Sequence, residues 1–437
     1  MTAGLPVMFQ SAPFCRANVA LHGRSLGETN VATARSESRR SNPFSMMKSI
    51  NIMLLQAVPF VLVILFSVFP NAVSAQQTVP DLAPGEWYEV PNSAIRSVMP
   101  NPTPSGFGDP AGIIYAWSGG AYDTFRDRLL VWGGGHSDYA GNELYAFDLN
   151  TLRWARLTDP SSLSGFSENS STMPDGRPKS VHTYDHLEFD PLSRKFFAGS
   201  GSTWREGTST STSWFFNFDR NEWERQQNLP GEIYDLIHPS MVSDYDPVSK
   251  RIVMLGPQSS GDFDPITGAW RQHGSKVFPW GPLGHTGAID PVNRKFVSIG
   301  RGSALIFNID NIGTLTNRQS LNSTGSRQAE DYDAPGLVYD PTIKRLVAWG
   351  SGQTVYSLDV ATRTWYEHPA TNAVSPGNPY AGNYNGTFGR FRYVPSRNLY
   401  IVVTSIDRNV YLYKLSAAAT APATKVPMPP GTLNVSD

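Results

Sequence analysis

The alternation of apolar and polar positions changes character twice along the chain. Residues 1–46 are polar and arginine-containing, with no apolar periodicity. Met46, Met47 and Lys48 lead into an apolar run over residues 52–69, which Val73-Ser74-Ala75 closes ahead of Gln76. A cationic start, an apolar centre and a small-x-small ending describe a secretory signal. The reading predicts translation from Met46 or Met47, a signal peptide over 47–75 cleaved near Ala75, and a secreted or periplasmic protein. The alternative is an uncleaved anchor with its arginines held inside. Gln56 and Pro59 interrupt the run, which barely reaches spanning length, so no stable membrane span is expected after cleavage. From residue 110 onward the pattern becomes short alternating runs between glycine, proline and aspartate breaks, the period of antiparallel strands.

Residues 131–154, VWGGGHSDYAGNELYAFDLNTLRW, set the unit. An apolar run breaks at Gly133, Gly134 and Gly135, a polar stretch follows, and a second alternating run carries Tyr145, Phe147 and Leu149. The rest of the chain repeats this unit. Its clearest mark is an aromatic-Asp-Pro-x-x-Arg/Lys turn before an apolar strand. The mark stands at Asp123, Asp190, Asp246, Asp290 and Asp340, with a degraded copy at Val394. Asp caps its own backbone in such a turn and Pro presets φ. A second half follows each mark. Tyr145, Asp148 and Trp154 in the first copy match Tyr356, Asp359 and Trp365 in the fifth. The third keeps Asp264 and Trp270, and the fourth keeps Asp310 without a tryptophan. In the second copy Asp219 and Trp223 are read as the same pair, two residues tighter.

This strand–turn–strand, glycine break, strand–turn–strand unit of about 50 residues resembles a kelch repeat of the galactose-oxidase-like β-propeller superfamily. The resemblance implies an all-β, kelch-like β-propeller over residues 76–415, with one four-stranded blade per copy. Six copies imply six blades, with seven the alternative. The sixth copy ends near residue 415 without a tryptophan strand, and GEWYEVP around Trp87 resembles TWYEHPA around Trp365. An N-terminal strand is therefore expected to close the ring. Residues 416–437, rich in Ala, Thr and Pro, read as a flexible tail.

Composition narrows the chemistry. The chain has 437 residues, 38 Gly, 34 Pro and 12% aromatic side chains, which suits many short strands and turns. A formal charge of −1 gives no basis for a nucleic-acid partner. The one cysteine, Cys15, lies in the leader. The copper–radical cofactor of galactose oxidase needs a cysteine crosslinked to tyrosine, so it is not expected here.

Antiparallel strands place the approach to each innermost strand, and the loop between second and third strands, on one face. The long irregular segments 161–180, 313–332 and 368–385 all fall there, and long loops on a rigid scaffold commonly carry function. His136 sits in the inter-strand loop of copy one. His182 and His238 stand eight residues before the repeat Asp, as Tyr332 does in copy five, and His285 stands five before. Arg205, Arg301 and Arg408 lie in further inter-strand loops.

Three functions compete for this set. Elimination on a uronate polysaccharide needs a base, a proton for the leaving oxygen and cations on the carboxylate. In that reading His136, His182, Tyr332 and Tyr139 are catalytic, and Arg205, Arg301, His238 and Asn142 bind substrate. Propeller polysaccharide lyases, including those acting on ulvan, are similar in architecture and residue type, although no motif matches residue by residue. The second function is metal-dependent chemistry, with His182, His238 and His285 holding a divalent ion such as zinc or calcium. The third is a non-catalytic propeller binding a glycan or a protein. Asp138, Asn142 and Glu143 double as loop-shaping residues in all three, and Glu143 reads as solvated.

Overall fold

A computed structural model describes residues 78–170, 172–199, 201–207, 212–226, 241–256, 259–275, 284–311, 319–380 and 385–418. Residues 1–77, which include the expected signal segment and Cys15, lie outside the described residues, as do His238 and residues 419–437.

The chain forms six consecutive, mainly antiparallel sheets arranged as a six-bladed β-propeller, the fifth carrying Thr324–Gly325 as an added short parallel strand. Blade 1 comprises Gly120–Asp123, Arg128–Val131, Tyr145–Asp148 and Arg153–Arg156. Blade 2 comprises Leu187–Asp190, Lys195–Ala198, Trp214–Asn217 and Glu222–Arg225. The innermost strands of blades 3 to 6 are Val242–Asp246, Thr286–Asp290, Gly336–Asp340 and Phe391–Val394. Neighbouring innermost strands pack on one another in sequence, and Phe391–Val394 packs against Gly120–Asp123. In blade 6 the strand Trp87–Glu89 pairs antiparallel with Tyr411–Tyr413, with Trp87 opposite Tyr413. Among the described residues no helix is long and apolar enough to cross a membrane.

The core is divided among the blade interfaces. Leu129, Val131 and Phe147 of blade 1 pack with Ile401 and Leu412 of blade 6. Leu130 and Ala146, from the other face of blade 1, pack with Phe189 and Phe196 of blade 2. Similar clusters join blades 2 and 3, 3 and 4, 4 and 5, and 5 and 6. Both faces of a blade are thus buried, which explains why the alternating runs are apolar at nearly every position.

The repeat mark works as its chemistry dictates. The Asp190 carboxylate accepts from the Leu192 and Ser193 amides, and Asp246 and Asp290 cap their turns in the same way. The residue four after each repeat Asp is left-handed: Asp127, Arg194, Lys250, Arg294 and Lys344 have φ of +54° to +60°. The second turn corrects one sequence expectation. In blade 2 Asn217, not Asp219, caps the turn, accepting from the Asp219 and Arg220 amides. Asn217 stands six residues before Trp223, as Asp148 does before Trp154, so the spacing is unchanged.

The other end of the channel is built from the approach segments. Trp117, Tyr184, Ala334 and Phe388 precede the innermost strands of blades 1, 2, 5 and 6 and form one apolar cluster. Their φ values are +46°, +46°, +45° and +47°, costing about 1 kcal/mol or more each. Backbone bonds stitch them together. The Tyr184 amide donates to the Trp117 carbonyl at 2.6 Å, and the Thr387 amide donates to the Ala334 carbonyl at 2.7 Å. Arg390, fully buried, donates to the Ser118, Gly386 and Val403 carbonyls.

Candidate functional site

The three glycines at 133–135 bring blade 2 onto blade 1. Gly133 and Gly134 take φ of +151° and +114°, where a side chain is strained. Gly135 has another reason: a Cβ there would lie 2.2 Å from the Val181 Cα and 2.6 Å from the Ser202 carbonyl oxygen. Its place against the short hairpin of Val181–His182 and Ser202–Thr203 therefore requires a bare backbone. The His136 amide donates to the Ser202 carbonyl at 3.1 Å and locks this contact.

Two of the expected catalytic residues consequently meet. The His136 and His182 rings lie edge to face, with centroids 5.5 Å apart. His182 is 3% exposed, and its Nε2 lies 2.7 Å from Asp138 Oδ2. The carboxylate favours the tautomer that carries the proton on Nε2. Trp117 covers the His182 ring at 4.9 Å, and Tyr184 stands edge-on to it at 6.1 Å. His136 is exposed, with its Nε2 over the bare α carbon of Gly207. The result is an accessible imidazole backed by a buried, carboxylate-held one.

A cleft of about 470 Å³ adjoins this pair. Ser137, Phe107, Phe166, Trp204 and Arg205 are among its lining residues. Arg205 is well exposed, and its only ion pair among the described residues is a loose one to Glu168, at 3.6 Å. Lys179, by contrast, is buried, bonded to Glu206 at 3.3 Å and seated over the Phe166 ring. The cleft thus offers apolar ring faces and one exposed cation, and its lining residue Ser137 follows His136 directly in the chain.

Other expected residues sit elsewhere. Tyr139 is fully buried and donates to Glu143 Oε1 at 2.8 Å, so its hydroxyl faces the interior. Burial, with Glu143 next, pushes its pKa far up. Glu143, expected at the surface, is itself fully buried; burial raises its pKa, and its Oε2 has no hydrogen-bond partner. Asn142 is buried and fully bonded: it donates to Ser161 Oγ and the Pro178 carbonyl and accepts from the Ser161 amide. These three residues hold the loop in shape.

A second group forms around blades 4 to 6. Arg301 pairs with Asp333 at 2.7 Å, and its amide donates to the Tyr332 carbonyl. The Tyr332 ring stacks on Tyr380 at 6.0 Å, nearly parallel. His285 is buried beside them, with Nδ1 3.0 Å from Ser298 Oγ. Burial first and Arg301 next push its pKa down to about 4. His182 and His285, the described members of the expected metal set, thus have different partners. Among the described residues no group of three or more His, Cys, Asp or Glu side chains is placed to hold a metal ion.

Sequence reasoning missed Tyr184 and the role of Asp138. Tyr184 stands two residues after His182, the spacing at which extended chain returns a side chain to the same face. No protein-family model matches the chain, and no curated protein matches it either.

Proposed function

We propose that the propeller is a secreted, kelch-like carbohydrate-active enzyme, a polysaccharide lyase acting on a uronate-containing glycan. The observation that carries this reading is the exposed His136 ring against the Asp138-held His182, beside a cleft lined by Arg205. In this reading Arg205 binds the uronate carboxylate and stabilises the charge that develops next to it. His136 removes the proton from the carbon bearing the carboxylate. The C–H electron pair becomes the new C=C bond, and the adjacent C–O bond to the neighbouring sugar breaks. Protonated His136 then returns its proton to the leaving oxygen. His182 and Asp138 act behind it, fixing the ring contact. Phe166 and Trp204 give the sugar rings an apolar floor.

A second reading, a non-catalytic glycan-binding propeller, draws on the same cleft, whose lining is mostly aromatic and apolar. One experiment separates the two. Purified protein is incubated with a panel of uronate-containing polysaccharides while the ultraviolet absorbance of the unsaturated product is followed. The lyase reading expects a rise that His136→Ala abolishes while glycan binding persists. Binding without any rise, unchanged in His136→Ala, would sink the lyase reading in favour of the binder.

A further inference from the structure

The opposite face, built by the Asp-Pro turns, carries a cavity of about 310 Å³ at the channel mouth. The residue just before each repeat position supplies a collar: Tyr122, Phe189, Tyr245, Ile289, Tyr339 and Tyr393. Five of these six are aromatic. Outside the collar stand Phe125, Leu192, Val248, Val292 and Ile343, from five successive blades, with exposures of 37% to 61%. They are five of the six large hydrophobic residues that are exposed among the described residues. Single exposed apolar residues need no explanation, but a ring of them around one opening does.

The floor of the cavity is charged. Glu188 is 4% exposed and accepts the Ser243 hydroxyl on Oε1 at 2.9 Å. The side chain lines the cavity. Asp244 also lines it, and Asp185 lies behind, tied to the Gly287 amide. Against three carboxyls stands one guanidinium, Arg392, which donates to the Gly120, Leu187 and Gly389 carbonyls and to no carboxylate. The cavity floor therefore has more acid than base.

We infer that this channel mouth is a binding site for a small organic cation, an alkylammonium group carried on an apolar body. The ammonium sits against Glu188 and Asp244, aromatic ring faces surround it, and the apolar body rests on the outer ring. Burial raises the carboxyls of Asp185, Glu188 and Asp244 above the ordinary range, so binding of a cation favours their ionised forms and displaces protons from them. This site lies on the face opposite the histidine pair and stands independently of the lyase reading.

Calorimetric titration of the purified protein with n-butylammonium tests it, with n-butanol and butyrate as the neutral and anionic counterparts. Saturable binding of the ammonium is expected, about tenfold or more tighter than either counterpart. Glu188→Gln, which keeps the Ser243 bond, should remove that preference, whereas His136→Ala should leave it intact. Tyr339→Leu, at the half-exposed rim, should weaken binding severalfold and serves if Glu188→Gln fails to fold. No saturable ammonium binding, equal binding of all three probes, tighter butyrate binding, or wild-type affinity in the folded variants would overturn the inference.

Discussion

The two faces of the propeller are made by opposite strategies. On the Asp-Pro face one turn is written repeatedly, with a capping aspartate, a left-handed fourth residue after it and a collar residue before it. On the loop face the described approach segments differ from one another. One carries Trp117, another the His182–Tyr184 pair, another Ala334, and another Phe388 next to the buried Arg390. The regular face holds the blades in register, and the irregular face brings His136 and His182 together between blades 1 and 2. The contrast teaches that a repeat fixes a scaffold where it is kept and frees chemistry where it is broken.

Substitutions on the two faces should therefore read out differently. The largest effect is expected from His136→Ala on the loop face: about a hundredfold or greater loss of turnover with an unchanged melting temperature. Loss of folding in place of turnover would erase the contrast. Gly135→Ala comes next. Its Cβ would meet the Val181 Cα, so a loss of about 3 kcal/mol in urea denaturation is expected, with turnover falling alongside. Asp138→Asn should lower turnover by about tenfold with little change in stability, because it releases His182 rather than the backbone.

Two buried groups sharpen the comparison through pH. Burial raises the Asp185 carboxyl to about 7. Between about pH 4 and 7 the folded protein then holds a proton that the unfolded chain has lost, so this stabilisation fades as pH rises through that window. His285, at about 4, works in the reverse sense. Its stabilisation is complete above the ordinary histidine range and is lost as pH falls from there towards 4. Asp185→Asn should gain on the wild type as the solution becomes alkaline, and His285→Gln should gain as it becomes acid. Denaturation midpoints across the range check both signs. The smallest effect is expected from Asn217→Asp, which restores the usual cap in blade 2 and should move stability by less than about 0.5 kcal/mol.

The scaffold was legible because its marks are local. An Asp that caps the next two amides looks the same at Asp190, Asp246 and Asp290, and the apolar runs between such turns leave few choices of fold. Asn217 escaped because amide and carboxylate oxygens cap equally well, and Asp219 stood nearby as a decoy. The site was legible only in part. The repeat register placed His136 and His182 on one face, and they meet. Alternation reports a face but not a depth, so Tyr139, Asn142 and Glu143 read as loop-surface residues although all three are buried. The aromatic before each Asp was noticed as punctuation of the turn. Its second role as a collar depends on a sixfold arrangement that no single copy displays.

The cluster of Trp117, Tyr184, Ala334 and Phe388 has one more consequence. Because these side chains pack as one cluster, the approach segments of four blades are anchored to one another rather than standing as separate loops. A substitution at any of the four would therefore be felt at the other three, and at His182, whose ring Trp117 and Tyr184 flank.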